Sequence, residues 1–546
     1  VKAWRDQQDY YYEDVVAPLP LTADPITLIQ STLCDVVPRV ALVDKKFDTS
    51  MIEMADISVY MEGCLDVRPA KEWGIRDHSC YEPVLKTGFS PPRHQTQRQS
   101  LLALGKRNLN VADNSQFMSP VKDAEQLVDK FMELFLVKDA SILFRQEKEV
   151  IPNIADLKRY ISRQPPKIVA QIERELHFHD IWHFDISLIT AFIRVSTKPD
   201  PTPPTLRKDG IADTKIPGGQ VIAHSIKLVN VIFGTLVDKF ITFLEDLMLP
   251  HINWNKRKNV KQIQEQLSRS LGNKRDYIIL EDDVSNYDKS QLEFAWNILI
   301  VLMTRCGYLS DRMARYMVSQ IATFSCARAA GVAILRLFQR HSGFPDTEPF
   351  NSLIRFLSMA AVLYRHSPED IYCFQVLGDD IIVFLRRCSP WQETLRTFST
   401  VLLKTFNFTA KVGRFQVGYF CGYYILHAEG KVILMSDPVR RAIKLGRSDL
   451  KEEALIREYY TSFQDSLLNY DNAVAVEQLC TAIGERFVEV SWPSIYNMVV
   501  GLATLAQDYR QFRQLWAPKL TVTPYGLEKE NLFRKPPPRS PSPDSA

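Results

Sequence analysis

The chain has no two cysteines in a Cys-x2-Cys spacing. Its nine cysteines, Cys34, Cys64, Cys80, Cys306, Cys326, Cys373, Cys388, Cys421 and Cys480, are scattered along it. That argues against a disulfide framework and a cysteine-built zinc site, and for a reducing compartment. No apolar run is long enough to span a bilayer, and no stretch has the make-up of a signal peptide. An excess of one charge is missing too. The chain's 67 basic and 64 acidic residues leave a net charge of +3, so global charge identifies no partner. No internal repeat is visible.

What is present is a chain of 546 residues, 46% of them apolar, enough to bury several packed subdomains. Its most informative feature is a pair of acidic clusters. The first, Asp282-Asp283-Val284-Ser285-Asn286-Tyr287-Asp288-Lys289-Ser290-Gln291, follows the strand-like Tyr277-Ile278-Ile279-Leu280 and passes into a helix-like run over 292–300. The second, Leu377-Gly378-Asp379-Asp380, lies between apolar runs at 371–377 and 381–385 that read as buried strands. Gly-Asp alone favours a surface hairpin turn with Gly as the first central residue. Asp288 alone is explained as an acidic helix N-terminus. Neither reading explains Asp283 at a strand's end, or two aspartates at the tip of a buried hairpin. Carboxylates there need water, cations or metal ions. Two such ends side by side form a hard-oxygen pocket suited to Mg²⁺. Two aspartate-held Mg²⁺ ions are the arrangement that stabilises both oxygens of an in-line phosphoryl displacement in polymerases and nucleases.

Between the clusters stands Ser342-Gly343-Phe344-Pro345-Asp346-Thr347-Glu348-Pro349-Phe350-Asn351-Ser352. The order Asp-x4-Asp, Ser-Gly-x3-Thr-x3-Asn, Gly-Asp-Asp resembles motifs A, B and C of viral RNA-dependent RNA polymerases. With Gly418-Tyr419-Phe420-Cys421-Gly422 and Ile222-Ala223-His224-Ser225-Ile226-Lys227, the closer resemblance is to the alphavirus-like supergroup, and within it to tobamovirus-like (virga-like) replicases. The resemblance runs with gaps from about Pro91 to about Trp516. The sequence departs from the family's pattern at Phe344-Pro345 and Glu348-Pro349, and at Ile381-Ile382, where the family has Ser-Leu.

The resemblance implies an α+β fold shaped as a right hand, with fingers, a palm built on an antiparallel sheet, and a thumb. It implies that Asp283 and Asp379, assisted by Asp380, hold two Mg²⁺ ions, for which Mn²⁺ can substitute. Asp288 and Asn351 would read the ribose 2′-hydroxyl, which separates RNA from DNA. Ser342 and Thr347 would hydrogen-bond within that network, and Gly343 would let the backbone approach the template or nucleotide. Lys411 matches the motif D lysine, a general acid for the departing pyrophosphate; a surface lysine after a strand is the equal alternative. The Gly418 to Gly422 word would form a hairpin under the primer end, with Cys421 a packing residue rather than a nucleophile. The implied partners are an RNA template with its primer or product duplex, NTPs, and upstream capping and helicase domains, which a start at Val1 rather than Met would suit. The implied location is the host cytoplasm, in membrane-associated replication complexes reached through partners.

Basic residues outnumber acidic ones between Arg194 and Arg275. Any single lysine there is best read as part of a solvated face, but the stretch as a whole suits fingers and a path for NTPs. Lys198, in a loose Lys-x-Pro-like word, and Arg207 are candidates for triphosphate contact; Lys256, Arg257 and Lys258 are candidates for RNA binding. The expected organisation is an N-terminal linker or interaction region at 1–90, an N-terminal extension and fingers at 91–280, and palm at 281–300. A fingers insertion at 301–335, palm again at 336–430, thumb at 431–520 and a disordered Pro/Ser-rich tail at 521–546 complete it. Helical periodicity is expected at 124–136, 453–470 and 492–515.

Two other readings stay open. A reverse transcriptase would carry a bulky aromatic residue at the sugar-reading position and Tyr-x-Asp-Asp at the turn, where this chain has Asp288, Asn351 and Gly378. A catalytically silent RNA-binding or assembly subunit would have no need to keep Asp283, Asp379, Asp380 and Asn351 together.

Overall fold

The computed structural model describes residues 24–37, 65–67, 81–89, 97–104, 121–144, 152–180, 183, 185, 193–197, 200, 203–207, 210–215, 219–285, 287–327, 331–387, 390–428, 430–450, 452–487, 490–518, 520–523 and 526–529. The strands of the three larger sheets are, in chain order, β1 (Leu65–Val67), β2 (Arg194–Thr197), β3 (Val221–His224), β4 (Ile252–Trp254), β5 (Tyr277–Val284), β6 (Ala322–Ala327), β7 (Val332–Leu337), β8 (Ile371–Leu377), β9 (Asp380–Arg386), β10 (Ala410–Phe415), β11 (Gly418–Phe420), β12 (Tyr423–Ala428) and β13 (Lys431–Ser436). The principal helices are α1 (Pro25–Val36), α2 (Val121–Phe135), α3 (Lys227–Leu247), α4 (Val260–Leu271), α5 (Tyr287–Ser290), α6 (Glu293–Arg305), α7 (Asp311–Ile321), α8 (Thr347–Val362), α9 (Trp391–Phe406), α10 (Pro438–Lys444), α11 (Glu453–Ser466), α12 (Ala473–Arg486) and α13 (Trp492–Gln507). Helices and mainly antiparallel sheets make this an α+β fold.

The central sheet has the order β10-β5-β9-β8-β4. β5, β9, β8 and β10 pair antiparallel, and β4 joins β8 in parallel. Alternate residues of a strand face opposite sides, and the sheet is buried on both. On one side Ile278, Leu280, Val284, Phe374, Val376 and Val383 pack against α2, α3, α6, α8 and α9. On the other, Ile279, Ile382 and Phe384 meet Leu267 of α4 and Phe420, Ile425 and Leu434 of the β11-β12-β13 sheet. The second five-stranded sheet runs β1-β7-β6-β2-β3.

α8 explains how a polar site reaches the middle of this core. Its residues are buried all round, with Phe350, Leu353, Ile354, Phe356, Leu357 and Met359 fully so. Such a helix is an interior one. Asn351, Arg355 and Ser358 interrupt the apolar surface at helical spacing, so they share one seam.

The expected strand after Asp276 is longer than its apolar residues suggest. β5 continues through Glu281, Asp282 and Asp283, because the first two carboxylates find guanidinium partners in the interior. The helix expected over 453–470 ends at Ser466, and that over 492–515 breaks at Asp508, whose carboxylate caps a separate helix at Tyr509–Arg513. Within the stretch expected as a linker, α1 starts at Pro25 behind its Asp24 cap and buries Ile29 and Leu33 fully in the core that α11, α12 and α13 share. The tail beyond 529 lies outside the described residues.

Candidate active site

β8 and β9 form a two-residue hairpin in which Leu377 pairs with Asp380, leaving Gly378 and Asp379 as the turn. Gly378 has φ +62°, the left-handed region that a glycine adopts without a Cβ penalty. Its N–H donates to Ser352 Oγ at 2.8 Å, which pins the turn to α8. β5 lies beside β9 with Asp282 opposite Ile381, so Asp283 comes level with the Asp379-Asp380 tip. On the other side of β5, Lys411 of β10 stands opposite Asp283. The structure therefore brings Asp283, Asp379, Asp380 and Lys411 together at the ends of neighbouring strands of one sheet. Lys411 is exposed there, and Asp283 and Asp380 are half-buried.

The electrostatics of the tip show crowding. Asp379 is exposed at the turn, yet partial desolvation of its carboxyl by the groups around it holds it above the ordinary range. The like charges of Asp380 and then Asp283 add to this, while Arg355 opposes it. Cys421, at φ +51° in the turn between β11 and β12, hydrogen-bonds Asp380 through its thiol. Burial and then the charge of Asp380 push that thiol far up. A thiol so held is no nucleophile, but it lies against the site and does more than fill space. Among the described residues, no three His, Cys, Asp or Glu side chains stand in ligating positions. The donor set of Asp283, Asp379 and Asp380 is all hard oxygen with crowded like charge, and it fits a divalent cation in chemistry.

Two buried ion pairs hold β5 in place. Asp282, pointing to the helical side, meets the Arg355 guanidinium, and both side chains are 0% exposed. Glu281, pointing to the opposite side, accepts two hydrogen bonds from Arg486 of α12 at 2.9 Å each and one from the Tyr419 N–H at 2.6 Å. Arg486 also lies over the Phe415 ring, 3.7 Å from its centroid. The sequence singled out neither pair. A trace was there, in an arginine four residues after Asn351 on a mostly apolar helix.

Beside the aspartates, Asn351 Nδ2 donates to Asp288 Oδ1 at 2.8 Å. Tyr287 donates its hydroxyl to the Asn351 carbonyl at 2.9 Å. The two residues expected to read a sugar are thus in contact. Their expected helpers are elsewhere. Ser342 Oγ donates to the Val221 carbonyl at 3.0 Å and accepts from the Ala223 N–H at 3.3 Å, so it ties the loop before α8 to β3. Thr347 donates to the His341 carbonyl in its own turn. Gly343 packs against β3 so closely that a Cβ would run into the Ala223 carbonyl oxygen, and its N–H donates to that oxygen at 3.0 Å. Its smallness serves a contact inside the protein, where an approach to nucleotide was expected.

The basic candidates divide as well. Arg257 Nη2 donates to both carboxylate oxygens of Asp238 of α3, at 2.7 and 2.8 Å, and Lys256 reaches the same carboxylate at 3.2 Å. Burial lowers the Lys258 ammonium from its ordinary range, with Glu245 opposing. Lys256 and Arg257 thus anchor the β4–α4 loop to α3, a role the sequence did not suggest. Arg257→Ala is expected to leave unchanged the slope of log RNA affinity against log salt, measured by filter binding. A residue devoted to phosphate would lower that slope by about one. Lys198 lies outside the described residues. Arg207 sits in the strand Thr205–Arg207, and its side chain is likewise outside them.

A family profile described as RNA dependent RNA polymerase matches residues 54–515. The chain is similar to the replicase large subunit of Soil-borne wheat mosaic virus (strain United States/Nebraska/1981), 26% identical over 503 residues, or 91% of this chain and 26% of that protein. It is similar to the replicase large subunit of Youcai mosaic virus, 26% identical over 522 residues, or 94% of this chain and 29% of that protein. Against the replicase large subunit of Tobacco mosaic virus (strain OM) it is 25% identical over 473 residues, or 86% of this chain and 28% of that protein. The chain spans between 26% and 29% of the length of these relatives.

Proposed function

Because the chain belongs to the viral RNA-dependent RNA polymerase family, we propose that it synthesises RNA from NTPs on an RNA template, in the replication and transcription of a positive-strand RNA virus genome. The observation that carries this is the meeting of Asp283 with the Asp379-Asp380 turn on adjacent strands, next to the paired Asp288 and Asn351. In this reading 281–300 and 336–430 are the palm, 91–280 and the insertion at 301–335 supply the N-terminal extension and fingers, and 431–520 is the thumb.

Asp283, Asp379 and Asp380 would hold divalent cations, two Mg²⁺ by their oxygen-only donors. Bound there, Mg²⁺ would lower the pKa of the primer 3′-hydroxyl and neutralise the triphosphate. The protein's own contribution is largely positioning and charge, as in phosphoryl transfer generally. The β8–β9 turn, held by Ser352, fixes two carboxylates. Arg355 takes up the charge of Asp282, so that Asp283 alone of that pair faces the reaction. Lys411, opposite Asp283, is the candidate general acid for the leaving pyrophosphate. The Asp288 carboxylate and Asn351 carboxamide would hydrogen-bond the ribose hydroxyls of the incoming nucleotide. The partners are RNA template, primer or product duplex and NTPs, with capping and helicase domains of a longer replicase in the host cytoplasm. No described helix is long and apolar enough to cross a membrane. Association with membranes is assigned to those partners.

Primer extension by the purified chain on an RNA template, with NTPs against dNTPs, tests the proposal. Wild type is expected to extend with NTPs far better than with dNTPs, since a site built to bond a hydroxyl is left unpaired by the analogue lacking it. Asn351→Ala should lose about 1–3 kcal/mol of that discrimination, roughly ten- to a hundredfold in the ratio of kcat/KM. A preference for dNTPs would favour a reverse transcriptase, and no extension with either a silent subunit.

A further inference from the structure

Asn351 does not hold its own orientation. Its carboxamide is the outer end of a chain of buried side chains that begins at Asp346. The Asp346 side chain, 0% exposed, accepts from the Tyr316 hydroxyl at 2.6 Å, from Arg340 Nη1 at 2.9 Å and from Gln320 Nε2 at 3.5 Å. The Arg340 guanidinium is equally buried and lies 4.2 Å from the Trp296 ring centroid. Its Nε donates to Gln291 Oε1 at 3.2 Å. Gln291, itself fully buried, donates from Nε2 to Asn351 Oδ1 at 2.7 Å. Asn351 Nδ2 then donates to Asp288 Oδ1 at 2.8 Å.

The polarity of this chain has one solution. A guanidinium has donors and no acceptor, so the Gln291 atom facing it is oxygen. The Gln291 amide nitrogen therefore faces Asn351, whose oxygen must turn to meet it. That leaves the Asn351 amide nitrogen for the acceptor-only carboxylate of Asp288. Flipping either amide would put donor against donor at one junction and acceptor against acceptor at another. At the buried Arg340–Gln291 and Gln291–Asn351 junctions each mismatch costs far more than on a surface. Asp346 balances the charge of Arg340, so the donor end stays fixed without an unpaired buried cation.

We propose that Gln291, oriented by Arg340 and Asp346, is a specificity-determining positioning residue. It fixes which face of the Asn351 carboxamide meets Asp288 and the incoming sugar, and so sets the discrimination between ribose and deoxyribose. This rests on the polymerase reading above. Gln291 touches no substrate. It acts through Asn351, which distinguishes it from a residue that merely fills the core.

Two variants of the 546-residue chain test it. Gln291→Met keeps the length and volume but removes both hydrogen bonds. Gln291→Glu keeps the shape but offers acceptors to both neighbours, which favours the flipped Asn351 amide. kcat/KM is measured for an NTP and its 2′-deoxy analogue, with thermal melting to establish folding. Each variant is expected to lower the NTP/dNTP ratio by roughly tenfold, the loss falling on the NTP with the dNTP rate nearly unchanged. In an Asn351→Ala background, Gln291→Met is expected to change the ratio no further, because the two residues act as a unit. Equal losses for both substrates in both variants, with the ratio kept, would assign Gln291 a purely structural part and overturn the inference alone. Wild type that extends with neither substrate would overturn the polymerase reading and this inference with it.

Discussion

Asp379→Asn is expected to abolish primer extension, by a thousandfold or more, while leaving the protein folded and slightly more heat-stable at neutral pH. In the proposed reading, the loss follows from removing one oxygen ligand at the turn. A two-ion site deprived of a carboxylate misplaces the attacking hydroxyl, at several kcal/mol of transition-state stabilisation. Asp283→Asn should behave alike. The gain in stability follows from the raised pKa of Asp379, caused by burial and then by Asp380 and Asp283. Its folded form holds a proton at pH values where the unfolded chain has lost it. The stability tied to that proton is complete below the unfolded value near 3.8 and is lost as pH rises through the folded value. At pH 7 the ionised carboxylate is therefore a burden in metal-free buffer, and the neutral amide removes it. Differential scanning calorimetry should find the Asp379→Asn variant melting above wild type at pH 7, with the gap closing below about pH 4. Extension near the wild-type rate by Asp379→Asn would end the catalytic assignment. Melting below wild type at pH 7 would end the electrostatic one.

The second large effect is expected in stability. Arg355→Leu should cost about 3–5 kcal/mol, because it takes the guanidinium away from the buried Asp282 carboxylate. Both side chains of this pair are 0% exposed, so water cannot take over. Asp282→Leu in addition should restore most of the loss, since a buried ion pair can be exchanged for apolar packing at little net cost. The double variant should still extend poorly. Arg355 favours the ionised form of Asp379, so its removal pushes that carboxyl further from the charged state that a cation needs. Denaturant midpoints for the single and double variants, with extension assays on the double, separate the two roles. A single variant within about 1 kcal/mol of wild type would mean that solvent reaches Asp282.

The hairpin at Gly378-Asp379 was legible because two β-rich apolar runs flanked a turn pair, a pattern written within about fifteen residues of chain. The helical periodicity of α2 and α6 was legible for the same reason. Asp288 and Asn351 were named from the family resemblance, and they meet. What was not legible depended on partners far along the chain. β5 looked finished at Leu280 because three acidic residues followed; Arg355 and Arg486, the latter 205 residues away, make its continuation possible. Ser342 and Gly343 looked like nucleotide contacts, yet their partners are Val221 and Ala223, some 120 residues earlier in the chain. Lys256 and Arg257 were candidates for RNA binding, yet both reach Asp238 of α3.

By itself, then, the sequence determined which residues carry charge and hydroxyls, and which local runs alternate as strands or helices, since those depend on side-chain chemistry and on near neighbours. The tertiary structure alone decided which charges meet. It put Asp282 and Glu281 on opposite faces of one strand, each against its own guanidinium, so that Asp283 is the acidic residue of that run left at the open edge. It also ran a donor-only arginine through Gln291 to Asn351. Both depend on burial. An ionised or amide group taken out of water must find its partner in space, and the chain's folding, not its order, determines which groups are within reach.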